Sequence, residues 1–471
     1  MRAPESPVLP RVLGTRDVVL MMVSLVVAPM WLATAAGLGP ASLIFWAAGL
    51  TLFFVPSCLA VVALSARLPG EGGLYLWTRT AFGEGHGFVV GWVYWITNVF
   101  YLPSVLLLAA SWSLHVRGRH WAHLADSVTY SVVFCLAVIW TATLLNVVGL
   151  GRVKWLSNVG GLANWLVLML LCAAACFAAG RFGSATNFAS SEFVPRVDSG
   201  TMGVFATIAF AYVGVEAGAI VGAEIRESAR TLQKAVWYAA GLIVCVYVAG
   251  TFALLVAIPP QQIDPVAGIA DAFDYLEART SVPALGLIGA ILLTTSQVGN
   301  VSSWITTTAR LPFVAGIDRY LPSAFARVHR RWNTPYVALM LQALMVSAAL
   351  LAAVAGSTVR EAFQELLGAT VVLAFLPLLY MFAAWPVVAA RRQGLRFDDW
   401  LVWGIAMTGF GVTVLALGLA ILPPADSPHP MVFVAKVVTG AVGLVAVGVA
   451  RYFVIRRRSR AARCAQAPSR R

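Results

Sequence analysis

Residues Gly203 to Lys234 read GVFATIAFAYVGVEAGAIVGAEIRESARTLQK. The first two-thirds are apolar and long enough to enter a bilayer. Near the middle, Phe210 and Tyr212 are followed by Gly214, Glu216 and Gly218. A carboxylate inside an apolar segment is costly in lipid and must face protein or a cavity. The flanking glycines lower the cost of leaving helical geometry. One reading is a helix-packing site, with Glu216 hydrogen-bonded to a neighbour. The other is a broken helix whose freed backbone groups bind a solute. The stretch alone leaves both open.

The composition sets the frame. Of 471 residues, 60% are hydrophobic and only 11% are charged, against roughly 25% charged in a soluble domain. The mean hydropathy is +0.83. These values describe an integral membrane protein with many helical spans. The opening MRAPESPVLPRVLGTRD is polar and leads into a full-length span, so no secretory signal peptide is expected. Six cysteines, Cys58, Cys135, Cys172, Cys176, Cys245 and Cys464, show no metal-ligand or disulfide spacing and read as small apolar residues.

Spans of about 20 apolar residues are expected at 17–39, 41–66, 86–114, 128–150, 154–179, 201–225, 235–258, 283–309, 335–355, 363–389, 400–422 and 431–454. Twelve spans put both ends on one side. On that side the terminal segments and alternate loops hold 26 Lys and Arg, and the opposite loops hold six. The positive-inside rule then places both termini in the cytoplasm. The same distribution accounts for the net charge of +13 without nucleic acid. The tail RRRSRAARCAQAPSRR reads as a disordered contact for anionic lipid. The organisation expected is a segment at 1–16, a transport core at 17–389, two further helices at 390–455 and a basic tail at 456–471.

Two opposite-side loops carry other charged groups. Asp264, Asp271, Asp274 and Glu277 read as a solvated surface. His115, His120 and His123 lack the carboxylate or cysteine pattern of a metal site, so none is assigned.

The first span carries Pro29 at its centre, in DVVLMMVSLVVAPMWLATAAGLG. Proline removes one helix hydrogen bond and clashes with the preceding turn. Spans one and six open two five-span units, 1–5 and 6–10. A five-span unit is odd, so the second enters from the other side as an inverted repeat. Paired interruptions in the two halves point to a binding site at the midplane. This pairing favours the broken-helix reading of Gly214–Gly218.

Three motifs then carry a family resemblance. They are LPGEGGLYLWTRTAFGEGHGFVVGWVYW (Leu68–Trp95), AFAYVGVEAGAIVGAEIRESAR (Ala209–Arg230) and SSWITTTARLPFVAGIDRYLPSAFARVHRRWNTP (Ser302–Pro335). In order, within twelve spans, they resemble the amino acid–polyamine–organocation transporters over about residues 10–390. The resemblance implies an all-α membrane protein with a five-plus-five inverted repeat, broken helices 1 and 6, and two added helices. It implies a secondary transporter of amino acids, including cationic or decarboxylated ones, coupled to protons or to substrate exchange, or else a polyamine or amine transporter. No cofactor is implied, and the oligomeric state is left open.

By motif alignment the substrate site would include Tyr94, Phe210, Gly214, Glu216 and Trp304, with Glu216 also carrying protons. Many members have a Gly-Ser-Gly-like turn in the first span that holds the substrate carboxylate; here Ala28, Pro29 and Met30 occupy it and are expected to line the substrate site, although the proline removes one backbone donor. Some members have a lysine where this chain has Asn164, which carries no charge. Glu224, near Arg226 and Arg230, is expected as a structural ion pair or part of an inner gate. Asp318 with Arg310 and Arg319 reads the same way. Phe210, Trp304, Tyr94 and Trp31 could offer aromatic faces to a cation, each worth about 0.5–2 kcal/mol. A channel would need a filter motif that is not present. A membrane enzyme would need a partner for Ser302 or Ser303, and no histidine lies inside any span, His86 standing at the first position of the third.

Overall fold

A computed structural model of the chain describes residues 11–116, 121, 124, 126–195, 198–263, 268–317, 320–355, 358–393, 398–422 and 430–465. Every regular element among these is helical. Among the described residues, β-type pairing is confined to one isolated parallel bridge, Leu13 with Ile225. A bilayer permits little else, because each span must satisfy its own N–H and C=O groups.

Eleven helices are long and apolar enough to cross a membrane, and a bent pair brings the number to twelve. The bent pair is α1 (Thr15–Val26) and α2 (Met30–Ala36), at 48° to one another. Next come α3 (Ala41–Gly49) and α4 (Val55–Arg67), continuous through a π turn at Leu50–Phe54 just before Pro56. A short connecting helix, α5 (Leu74–Phe82), precedes the long α6 (Glu84–Leu114). Helices α7 (Val128–Val148) and α8 (Leu150–Phe182) complete the first five spans. The second set opens with α9 (Ser199–Ala211) and continues with α10 (Ser228–Ala257), the short loop helix α11 (Gly268–Thr280) and α12 (Leu285–Thr308). Then α13 (Arg310–Ile317), α14 (Tyr336–Val354) and α15 (Val359–Gln393) follow, and α16 (Asp398–Ala420) and α17 (Pro430–Ala465) are the added pair.

Three departures from the sequence expectation are seen, the first two with a cause in the backbone. The sixth span is α-helical only to Ala211. Beyond it lie two 3-10 turns, Val215–Ala219 and Gly222–Glu224, so the second half of 201–225 is unwound. Gly214 adopts φ +125°, a conformation that glycine reaches without strain. The helix that follows begins at Ser228, seven residues before the expected 235, after Glu227 turns left-handed at φ +46°. At the other end, α17 continues to Ala465, so the first part of the expected disordered tail is helical.

The α8–α12 crossing is unusually close. A Cβ on Gly160 would lie 2.5 Å from the Gly299 Cα, and one on Gly161 would lie 2.9 Å from the Leu20 carbonyl oxygen of α1. Small residues here let three backbones meet. This packing holds α1 against the scaffold.

Candidate functional site

Pro29 explains the first break atom by atom. In a continuous helix its N–H would bond the carbonyl of Leu25, and proline has none. The Leu25 oxygen instead accepts from Trp304 Nε1 at 3.0 Å and from Asn300 Nδ2 at 3.2 Å, both on α12. Neighbouring carbonyls are served in the same way. Ser24 O accepts from Asn300 Nδ2 at 2.6 Å, Val26 O from the Tyr247 hydroxyl at 2.7 Å, and Val27 O from Asn164 Nδ2 at 3.2 Å. Side chains from α8, α10 and α12 thus replace the missing next turn of α1. Asn164, whose alignment had raised the question of a missing charge, is a neutral cap on the break.

The second break is organised by Glu216, which is fully buried. Tyr94 on α6 donates its hydroxyl to Oε1 at 2.7 Å, and the Gly214 backbone N–H donates to Oε2 at 3.0 Å. The carboxyl therefore holds the unwound segment to α6. The Tyr247 hydroxyl reaches across from the first break and lies 2.9 Å from the Ala211 carbonyl of the second.

Between the two breaks is a cavity of about 30 Å³, room for about two waters. Its walls are Leu25, Val26 and Trp31 from the first span and Phe210 and Val213 from the sixth. Tyr94, Thr97, Asn98 and Tyr101 line it from α6, Trp304 from α12, and Thr370 and Ala374 from α15. The aromatic rings interlock: Trp31 meets Phe210 edge-on with centroids 5.5 Å apart, and Tyr101 meets Trp304 at 5.6 Å. No lysine, arginine, aspartate or glutamate is on these walls. Any solute larger than two waters must move these rings to enter.

Of the residues expected at the site, Tyr94, Phe210 and Trp304 lie on the cavity wall. Gly214 sits just beneath, where an added Cβ would be 3.4 Å from the Trp304 ring. Glu216 is one hydrogen bond behind the wall, screened by Tyr94. Ala28, Pro29 and Met30 are buried or enclosed at the break and do not line the cavity. Thr97, Asn98 and Tyr101 were missed. Their spacing from Tyr94, three, four and seven residues on, is the signal of one helical face.

Glu224 is paired, but not with the arginines nearest in sequence. Its carboxylate takes Arg310 in a two-pronged bond, Nε to Oε1 at 2.8 Å and Nη2 to Oε2 at 3.3 Å, with both side chains buried. Asp318 and Arg319 lie outside the described residues, as do His120, His123 and Asp264. His115 has a carboxylate at each ring nitrogen: Asp274 2.8 Å from Nδ1 and Asp271 4.0 Å from Nε2. The hydrogen bond at Nδ1 ties the end of α6 to α11, and the three side chains bring ligand atoms within 4.8 Å of one another, a carboxylate pattern that the sequence reading of His115 had not found.

Comparison with known proteins agrees with this geometry. A family model described as amino acid permease matches residues 13–444. An uncharacterized transporter of Legionella pneumophila is 25% identical over 433 residues, covering 90% of this chain and 92% of that protein. A Lactococcus lactis glutamate/gamma-aminobutyrate antiporter is 25% identical over 396 residues, covering 80% of this chain and 76% of the relative. A second L. lactis protein, named Probable agmatine/putrescine antiporter AguD, is 22% identical and covers 63% of this chain and 62% of its own length. The crystal structure of MhsT in complex with L-phenylalanine superposes with a TM-score of 0.59 at 13% identity, over 94% of this chain and all of that one. The shared fold is that of the LeuT-type transporters, with broken first and sixth helices. The family and its relatives are transporters, not enzymes. This chain, a multi-pass membrane protein with its two broken helices set around a closed aromatic cavity, belongs to the amino acid permease family.

Proposed function

We propose that this secondary transporter moves amino acids or their decarboxylated, cationic derivatives across the cytoplasmic membrane, by exchange or together with protons. The observation that carries the reading is the cavity itself. Five aromatic rings, Trp31, Tyr94, Tyr101, Phe210 and Trp304, surround a space with no fixed positive charge. Such a wall suits a desolvated ammonium group, each ring contributing about 0.5–2 kcal/mol. It offers a substrate carboxylate only neutral donors, among them Asn98 and Thr97. Glu216 behind Tyr94 is the one carboxyl in reach, and it can serve as counter-charge or proton carrier through a single hydrogen bond. The relative named as a glutamate/gamma-aminobutyrate antiporter supports amino acids and their decarboxylated products, and the one named as a probable agmatine/putrescine antiporter supports cationic amines. A polyamine carrier is the second reading, favoured by the last of these relatives.

Both termini are cytoplasmic in this proposal, on the charge distribution of the loops. Tags at either end should react only from the cytoplasmic side. The deciding experiment is counterflow in proteoliposomes against amino acids, monoamines and polyamines. Saturable counterflow of cationic or decarboxylated compounds is the expected result. Flux confined to anionic or zwitterionic amino acids would overturn the cationic preference.

A further inference from the structure

We propose that Glu71 is a second proton-binding carboxyl, separate from Glu216, whose protonation is tied to closure of the N-terminal face. The inference rests on the transport reading for its purpose but not for its chemistry.

That face is sealed by backbone and by charge. Val12 and Leu13 donate their N–H groups to the Glu224 carbonyl at 3.0 and 3.1 Å, and Arg226 returns a bond to Leu13 O at 2.9 Å. Beneath this bridge is the buried Glu224–Arg310 pair. A third charged side chain enters from the connection between α4 and α5. There Gly72 N–H donates to Ile220 O at 3.0 Å, and Gly73, at φ +43°, has room for no Cβ, which would lie 3.1 Å from the Ala219 carbonyl carbon. The loop is therefore pressed onto the unwound segment of span six, and it carries Glu71 inward.

Oε1 of Glu71 is buried and has no hydrogen-bond partner. The nearby cation is already committed. Arg310 gives Nε and Nη2 to Glu224 and Nη1 to the Thr306 carbonyl. The buried Glu224 and the half-buried Glu71, whose Oε1 is cut off from solvent, thus share one guanidinium, and Glu224 holds it. With both ionised, the cluster carries a negative charge in excess of its cation in a partly dehydrated setting, which is costly. One proton on Glu71 makes the cluster neutral. Burial, then the Glu224 charge, push the Glu71 carboxyl up to about 8, and Arg310 only partly opposes them. The other charges near the loop are engaged or partly exposed: Arg79 lies 3.9 Å from Glu84, Lys154 pairs with Asp17, and Arg67 ends α4 at the partly exposed edge.

Closure and protonation are then linked in a definite direction. Opening the bridge wets Glu71 and returns it toward its ordinary value of 4.5. The closed state has the higher proton affinity. Its advantage is complete at acid pH and declines as pH rises from about 4.5 to about 8, by about tenfold in the closed-to-open ratio per pH unit. Each opening at neutral pH releases one proton on this face. The sequence signal is the glutamate inside LPGEGG, residues 68–73.

The test is hydrogen–deuterium exchange of the full chain in lipid nanodiscs from pH 5 to pH 8.5, corrected for intrinsic exchange rates. Amides of Val12, Leu13 and Arg226 report the bridge. Protection in the wild type should fall about tenfold per pH unit across this window, while Glu71→Gln, permanently neutral, should stay protected and flat. Glu71→Ala, which only shortens the side chain, should also be flat and serves if the glutamine variant does not fold. A flat wild-type profile, or the same slope in wild type and variant, overturns the proposal. Counterflow measured on the same samples keeps the two ideas apart. Absence of flux for every amino acid and amine would defeat the transport reading, whereas the exchange profile alone judges Glu71.

Discussion

Replacing Tyr94 by phenylalanine tests whether the cavity wall and the second break are one unit. The change removes a single hydroxyl, which donates to Glu216 Oε1 at 2.7 Å from a fully buried setting. Hydrogen bonds to charged groups are worth about 1.5–3 kcal/mol, and neutral ones about 0.5–1.5 kcal/mol. The lost bond also leaves a buried carboxyl oxygen without a donor. One feature limits the cost: the adjoining cavity has space for about two waters, and one of them can take the hydroxyl's place. The expected destabilisation is therefore about 1.5–3 kcal/mol, toward the lower end if water enters. It should shrink to about 0.5–1.5 kcal/mol when the same change is made in a Glu216→Gln background, where the acceptor is a neutral amide. Reversible unfolding in mixed detergent–SDS micelles measures both arms of this cycle. Equal costs in the two backgrounds would refute the reasoning, because the hydroxyl would then be acting on something other than the Glu216 charge.

Three further outcomes are expected. Glu216→Gln should fold and remain monodisperse but lose the pH dependence of transport or the preference for cationic substrates, with coupled uptake falling more than counterflow if the residue carries protons; an unchanged pH profile would leave Glu216 a packing residue. Gly299→Ala would place a Cβ 2.4 Å from the Gly160 Cα, a backbone clash that side-chain motion cannot relieve, so a loss of at least about 1–3 kcal/mol is expected by the same unfolding assay. Glu224→Gln leaves the buried Arg310 with only the half-buried Glu71 as counter-charge and should cost up to about 3–5 kcal/mol, whereas Glu224→Met combined with Arg310→Met should recover most of that loss; no recovery in the double variant would mean that the pair is not what holds the segment.

The sequence was most informative where a residue type has few alternatives. Pro29 has no N–H, so a break in the first span was readable from one letter, and Glu216 in an apolar run had to meet a donor. The paired interruptions made the fold class legible, and the three motifs drew Tyr94, Phe210 and Trp304 to one place. What stayed hidden depended on packing between distant helices. Nothing local to Glu224 distinguishes Arg310 from the nearer Arg226 and Arg230, because the choice is made where α13 approaches the unwound segment. The length of that segment was also hidden, since Val215 to Glu224 is as apolar as any helix until Gly214 turns and the Gly218 backbone presses on Met22, where a Cβ would lie 2.2 Å from Cε. A helix apolar or aromatic on every side does not reveal which face will be a wall, and so Thr97, Asn98 and Tyr101 passed as bundle interior.

The Tyr247 hydroxyl has one hydrogen and two acceptors. It lies 2.7 Å from Val26 O and 2.9 Å from Ala211 O, the last carbonyls of the two interrupted spans. It can donate to only one of them at a time. The two interruptions therefore compete for a single proton, and whichever lacks it keeps an exposed lone pair at membrane depth. Any tilt that lengthens one distance hands the hydrogen to the other, so the two helices sense each other's position through an indivisible token, without a charge moving.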